Sequence, residues 1–340
     1  MSTAPRRPSM GDVAARAGVS YQTVSRVLNE PEIVRPATRE RVLAAISELG
    51  YARNRAARAL KTSRSSLIGV LTDSLSLFGP AETTTAIENA AREAGYSVVL
   101  TSLPPGECSA RQVGADLLAS GVEGILVVAA HEGMTPAVAA VAGSAPVVAV
   151  TAQPQQESGV EVVAIDQAEG ARIVVEHLAL TGARSIVHLA GPTDWFDARA
   201  RRSGFTASLE EFGLDGAVVG PGEWTPRAGY ELTSALIASG LPDALFAAND
   251  MIAIGALHAL HQHGLRVPED VAVVGFDNTI GAEFLLPSLT TVAQPFAEVG
   301  REALRHLVYL LEGDDSSVGS PSTLSPRLVV RRSTRPERTH

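Results

Sequence analysis

The chain has 340 residues, 45% of them hydrophobic, which is enough apolar material for two or three domains with cores of their own. A single cysteine, Cys108, excludes an internal disulfide and fits a reducing compartment. The net charge of −9 argues at first against a polyanionic partner, but residues 1–64 carry twelve Lys and Arg against five Asp and Glu, and the rest carry sixteen against thirty-two. A basic head on an acidic body is the asymmetry expected when one module alone meets nucleic acid.

The N-terminus, MSTAPRRPSMGD, leads into a charged amphipathic pattern and not into an apolar segment, so no signal peptide is expected. No apolar run reaches the roughly 18 residues that span a bilayer. The expectation is a cytoplasmic protein without a membrane partner.

Three helices fit residues 9–50. Ser9 with Asp12 is a capping-box-like start, Val13, Ala14 and Ala17 line one face, and Gly18 ends the first helix. Ser20 is a good N-cap for the second helix, SYQTVSRVLNE. In it Val24, Val27 and Leu28 share one face, and Tyr21, Gln22, Ser25 and Arg26 share the other. Four unlike hydrogen-bonding groups are a poor choice for an ordinary solvated face, which favours better helix formers. Pro36 suits the first turn of a third helix, with Val42, Ala45, Ile46 and Leu49 inward and Gly50 at its end. Helix, short Gly-containing turn, helix is the helix-turn-helix pattern. Residues 51–64, YARNRAARALKTSR, are basic and Ala-rich without a wide apolar stripe, which reads as a hinge that orders on contact.

From Ser66 onward the pattern becomes β-α alternation. Strands are expected at Leu67–Thr72, Ser97–Thr101, Gly124–Ala129, Val147–Val150 and Val160–Ile165, with helices starting near Pro80, Ala110 and Thr135. A second set of strands is expected at Ser185–Ala190, Val218–Val219, Ala244–Ala247 and Val271–Gly275, with helices starting near Gln167, Asp197, Pro226, Asp250 and Pro295. Short apolar strands separated by helices indicate parallel sheets covered on both faces. Two such sets suggest two α/β subdomains, and a cleft between them, beyond the carboxyl ends of the strands, is a natural small-molecule site.

DVAARAGVSYQTVSRVLN, TRERVLAAISELGY and RNRAARAL resemble the headpiece and hinge of the LacI/GalR transcription-factor family. EHLALTGARSIVHLAGP, FAANDMIAIGAL, VAVVGFDN and LTTVAQPF resemble its sugar-binding core, so the likeness covers nearly the whole chain. It implies an N-terminal all-α helix-turn-helix headpiece plus an α/β core of two Rossmann-like subdomains, periplasmic-binding-protein-like type I. The headpiece would span 1–50, the hinge 51–65, the core 66–334 and a disordered tail 335–340. Within the core the chain would cross three times, giving an N-subdomain of about 66–165 and 296–323 and a C-subdomain of about 166–295 and 324–334.

The resemblance also gives the polar face of the second helix a purpose, because the major groove admits an α-helix and each base pair shows it a distinct donor and acceptor pattern. Gln22 suits adenine, Arg26 suits guanine O6 and N7, and Tyr21 offers a ring and a hydroxyl. Ser20, Thr23, Ser25, Asn29 and Thr38 suit phosphate contacts that set register. In the hinge, Leu60 matches the family's minor-groove wedge, with Asn54, Arg55 and Ala57 beside it. Since the hinge helix forms when two subunits pair, a homodimer on a pseudo-palindromic operator follows. The tail SPRLVVRRSTRPERTH has no leucine heptads, so no tetramer is expected.

For the effector, Trp224 offers a flat face for sugar C–H groups. Arg201, Asn249, Asp277 and Gln294 match polar contacting positions, Leu77, Gly79, Pro80 and Phe296 match apolar walls, and Asp197 stands where a serine is found. The chain departs from the pattern with Val128 and Thr151 at polar positions, Asp73 for a serine, and added aromatic bulk at Trp195 and Phe78. The implied effector is a sugar, a galactoside or another plant- or milk-derived oligosaccharide. It would release the operator by closing the cleft, although a corepressor logic stays open.

The rival classes are an enzyme and a free-standing sugar-binding or sugar-processing protein. No Gly-x-Ser-x-Gly elbow, P-loop or dinucleotide fingerprint is present, and no cofactor is expected. His258, His261 and His263 put only the first two on one helical face, which reads as ordinary helix-end histidines, not a metal site.

Overall fold

A computed structural model describes residues 8–51, 64–103, 110–152, 160–220, 222–313 and 322–334. The chain forms two compact units that divide after Ser65.

The first unit is a three-helix headpiece of α1 (Met10–Ala17), α2 (Tyr21–Asn29) and α3 (Pro36–Leu49). Ser9 closes a capping box with Asp12, and Gly18, at φ 63°, takes the left-handed conformation that ends α1 and turns the chain into α2. Ser20 caps α2 through the Thr23 amide. Val13, Ala17, Val24, Val27, Val42, Ala45 and Tyr51 close over one another as the core. An exposed Arg16–Glu48 ion pair ties α1 to α3.

The second unit holds two six-stranded sheets. Its first lobe contains β1 (Leu67–Thr72), β2 (Ser97–Ser102), β3 (Gly124–Val128), β4 (Val147–Val150), β5 (Val160–Ile165) and β11 (Ser322–Leu324). They pair in the order β11-β5-β4-β3-β1-β2, all parallel. Its helices are α4 (Phe78–Glu93), α5 (Ala110–Ala119), α6 (Thr135–Val141) and α11 (Phe296–Glu312). The second lobe contains β6 (Ser185–Leu189), β7 (Asp215–Val219), β8 (Ala244–Ala247), β9 (Ala272–Asp277), β10 (Thr290–Ala293) and β12 (Arg327–Val329). Their order is β12-β10-β9-β8-β6-β7, with only β12 antiparallel. Its helices are α7 (Gln167–Leu180), α8 (Phe196–Phe212), α9 (Pro226–Ser239) and α10 (Asp250–Gln262). The chain changes lobe after β5, after β10 and after β11.

Each sheet is apolar on both faces because helices cover both. In the first lobe one face packs Ile68, Val70 and Leu126 against Ile87 and Val299, and the other packs Leu71, Ile125 and Val127 against Leu117 and Met134. In the second lobe Phe246, Val274 and Phe276 meet Val174 and Phe205, while Leu189, Leu245 and Val273 meet Ile252 and Leu260. Each large side chain so buried contributes about 1.5–3 kcal/mol. Helices α9 and α10 touch backbone to backbone, since a Cβ on Gly255 would lie 1.8 Å from the Pro226 carbonyl oxygen.

The alternating strands lie where the apolar runs predict them, with β7 extended back to Asp215. Strands β10, β11 and β12 were not expected. They have four, three and three residues, too few for a periodicity, and exist because a sheet edge is there to pair with.

Candidate functional site

The strands of both lobes end at a cleft of about 480 Å³. The first lobe contributes Ser76–Ala81, from the loop after β1 and the first turn of α4. The second lobe contributes Trp195, Asp197 and Arg201 after β6, Trp224–Pro226 after β7, Asn249 and Met251 after β8, Asp277 at the end of β9 and Gln294 after β10. The carboxyl ends of parallel strands are where such folds place ligands.

Arg201 is the centre of the polar floor and is only 3% exposed. Its Nε donates to Gln167 at 2.8 Å and an Nη donates to the Ala248 carbonyl. Its guanidinium stacks 3.8 Å above the Phe276 ring and lies 4.0 Å from Asp277 and 3.8 Å from Asp197. Gln294 donates to Asp277 at 2.7 Å and accepts from Gln167 at 2.9 Å, closing a ring of polar groups. Burial pushes Asp277 up to about 7, against the pull of Arg201. Burial also raises Asp197, whose side chain keeps 29% exposure toward the cleft. Asp277 adopts φ 108°, a left-handed conformation that strand geometry does not supply and that marks stored strain. The Asn249 side-chain oxygen caps α10 through the Ile252 amide, which leaves its Nδ2 group for the cleft.

The walls are aromatic. Trp195 and Trp224 meet edge to face at 5.5 Å, and Trp224 lies close against Gly191, where any Cβ would collide with the indole. The buried Trp224 Nε1 has no hydrogen-bond partner among the described residues.

Ten of the thirteen effector residues expected from sequence therefore meet here: Leu77, Gly79, Pro80, Trp195, Asp197, Arg201, Trp224, Asn249, Asp277 and Gln294. Three do not line the cavity. Asp73 turns away to accept from Ser74 at 2.6 Å and to pair with His131 at 2.7 Å. Phe296 stands behind the wall, its ring 5.9 Å from Phe78 and edge-on to it. Thr151 follows β4 and donates its amide to Val163 at 3.1 Å, so its backbone continues the ladder. Sequence reasoning missed Ser76, Ala81, Thr225, Pro226 and Met251 as lining residues, and named Phe78 only as added bulk. Their sole signal is position next to a strand end.

In the headpiece, Ser20, Tyr21, Gln22, Arg26 and Asn29 are exposed and Thr23, Ser25 and Thr38 are half-buried. Tyr21 is 59% exposed, high for an aromatic ring. Ser20 and Thr23 share a hydroxyl contact of 2.9 Å, and Asn29 donates to the Ser25 carbonyl at 2.7 Å, so part of the polar face braces itself. Thr38 sits in the first turn of α3, which carries no side-chain cap. Asn54, Arg55, Ala57 and Leu60 lie outside the described residues. Among the described residues no group of three or more His, Cys, Asp or Glu is placed to hold a metal ion, and no helix is long and apolar enough to cross a membrane.

A two-lobed ligand-binding core of parallel sheets, on one chain with a helix-turn-helix headpiece, defines a class: the transcriptional regulator with a built-in small-molecule receptor. Residues 9–54 match the family described as bacterial regulatory proteins, lacI family, and residues 175–334 match the periplasmic binding protein-like domain. The lactose operon repressor of Escherichia coli (strain K12) is 35% identical over 325 residues, covering 95% of this chain and 89% of that protein. The crystal structure of the Lac repressor dimer bound to operator and the anti-inducer ONPF superposes with a TM-score of 0.79 at 33% identity, covering 97% of this chain and 99% of that one. The complex of the transcriptional regulator CelR with cellobiose superposes with a TM-score of 0.69 at 32% identity, covering 96% of this chain and 100% of that one. The chain belongs to the lacI family of bacterial regulatory proteins and is a DNA-binding transcriptional regulator.

Proposed function

We propose that this regulator represses sugar-utilisation genes from the cytoplasm and leaves its operator when a sugar occupies the cleft. The observation that carries the reading is the buried Arg201, set between Asp197 and Asp277 at the floor of a cleft walled by two tryptophans. Planar charged groups hold vicinal hydroxyls bidentately, and indole faces cover the C–H surface of a pyranose. The relatives bound to ONPF and to cellobiose support a glycoside or oligosaccharide as the ligand class. A galactoside or a plant- or milk-derived oligosaccharide fits the aromatic walls.

In this reading residues 1–50 bind DNA, residues 51–65 form the hinge and the core from 66 to 334 receives the effector. Gln22 and Arg26 read base edges, and the uncapped amides at the start of α3, near Thr38, meet a phosphate. Exposed Ile280, Phe284 and Leu286 form an apolar surface at 85%, 76% and 96% exposure, which supports a homodimer and hence a pseudo-palindromic operator. The sugar shifts the operator equilibrium only by its difference in affinity for the bound and released forms, about 1–3 kcal/mol in typical couplings.

Fluorescence anisotropy with a pseudo-palindromic duplex and a shuffled one, titrated with lactose, cellobiose and related sugars, tests both halves. Tighter binding to the palindrome, weakened by at least one sugar, is the expected result. Equal affinity for both duplexes, or no change with any sugar, would sink it.

A further inference from the structure

Beside the cleft the loop after β3 in the first lobe touches the second lobe. His131 follows β3 in the first lobe and forms an isolated antiparallel bridge with Trp195 of the second. The Glu132 amide donates to the Asp194 carbonyl at 3.0 Å, and the Phe196 amide donates to the Ala130 carbonyl at 3.0 Å. The Glu132 carboxylate also pairs with Arg199. The His131 ring lies 5.1 Å from the Trp195 ring at a 35° tilt.

His131 is itself clamped on both sides. Its Nε2 faces the Asp73 carboxylate at 2.7 Å, and its Nδ1 accepts the Gly133 amide at 3.1 Å. An amide N–H aimed at Nδ1 needs a lone pair there, so the neutral ring carries its proton on Nε2 and donates to Asp73. A Cβ on residue 133 would lie 2.7 Å from the His131 Cε1, so a larger residue there would have to push the ring aside.

We propose that His131 is a positioning residue of the effector cleft: clamped by Asp73 and Gly133 in one lobe, it fixes the Trp195 wall of the other in a proton-dependent way. The inference deepens the sugar-receptor reading and concerns the same cleft. A second proton on His131 goes to Nδ1, where the Gly133 N–H now sits. Protonation therefore strengthens attraction to Asp73 and to the Trp195 π-face while it costs the loop its cap. The Asp73 hydrogen bond raises the histidine above its ordinary value of 6.5, against burial, with further support from the charges of Asp73 and Asp194. The other charged groups at this junction are Glu132 and Arg199, paired with each other, and Asp197 on α8. The structural alternative is a histidine that merely fills space between the lobes.

The test uses the full-length chain without DNA or sugar, so its failure is distinct from failure of the sugar-receptor reading. Trp195 and Trp224 are the only tryptophans, and Trp224→Phe leaves Trp195 as the sole indole emitter. That background also removes the indole nearest Arg201, which pairs with the titrating Asp277. Emission is followed from pH 8 to pH 5, because an imidazolium in contact with an indole quenches it. A quench with a midpoint above 6.5 is expected. His131→Gln should abolish it, and Asp73→Asn should move its midpoint to lower pH. Gly133→Ala, which displaces the ring, should shrink the quench without removing the histidine. Circular dichroism establishes that each variant is folded, and Asp73→Asn alone decides the matter should His131→Gln not fold. A flat profile in the parent, an unchanged quench in His131→Gln, or an unmoved midpoint in Asp73→Asn overturns the proposal.

Discussion

Replacing Asp277 by Asn should change how stability depends on pH, and the size of the change follows from burial. Asp277 is 8% exposed, and its carboxyl titrates at about 7 in the folded protein against 3.8 ordinarily. A carboxyl raised on folding gives stability that is fully present below the unfolded value and is lost as pH rises toward the folded one. Each unit of difference corresponds to about 1.36 kcal/mol, so the charge penalty approaches about 4 kcal/mol at pH 7. Most of it accrues above pH 5, leaving about 2 kcal/mol to develop between pH 5 and pH 7. Asparagine keeps the volume, tolerates the positive φ and can still accept from Gln294, but carries no charge to bury. Arg201 retains Asp197, Gln167 and the Ala248 carbonyl.

Thermal or urea unfolding of both proteins at pH 5, 6 and 7 measures the effect. It must be read as variant minus parent, because buried His188, held down to about 4 by desolvation, pulls the other way: its contribution is present above 6.5 and lost on acidification. His188 is common to both proteins and cancels. The difference should move in favour of Asp277→Asn by about 2 kcal/mol from pH 5 to pH 7. A difference independent of pH refutes the reasoning, and one that moves toward the parent reverses its sign.

Three further outcomes are expected. Gln22→Ala and Arg26→Ala should each relax base preference by about 1–3 kcal/mol at the position read, measured as the ratio of operator to shuffled-duplex affinity at fixed salt, with headpiece stability unchanged. An equal loss on both duplexes would assign these side chains to the phosphates instead. Ser9→Ala removes the α1 capping box and should cost the headpiece about 1 kcal/mol, whereas Arg16→Ala, breaking an ion pair more than half exposed on both sides, should cost under about 1 kcal/mol by urea denaturation. Gly255→Ala should destabilise the core by about 1–3 kcal/mol or more, because the new methyl meets the Pro226 carbonyl and not a movable side chain. A calorimetric transition unchanged from the parent would show that α9 and α10 slide apart freely.

The local pattern fixed what depends on neighbours in sequence. Helical spacing in residues 9–50 placed Val24 and Val27 inward and Gln22 and Arg26 outward, because a three-helix core has room for one apolar face per helix. Buried parallel strands announce themselves as apolar runs, so both sheets were legible apart from β10, β11 and β12. The cleft was readable through the family resemblance because its residues follow strand ends, where a parallel sheet must present them. Tertiary structure alone decided the rest. Asp73 lies 58 positions from His131, and the two meet only because β1 and β3 are adjacent in the sheet. That pairing takes Asp73 off the cleft, as an edge-on contact with Phe78 takes Phe296 behind it. The chain crosses between lobes three times, so a contact between them such as His131 against Trp195 unites segments whose separate sequences carry no trace of each other. A linear pattern reports which face a residue turns; which groups share a proton is fixed only when the sheets close.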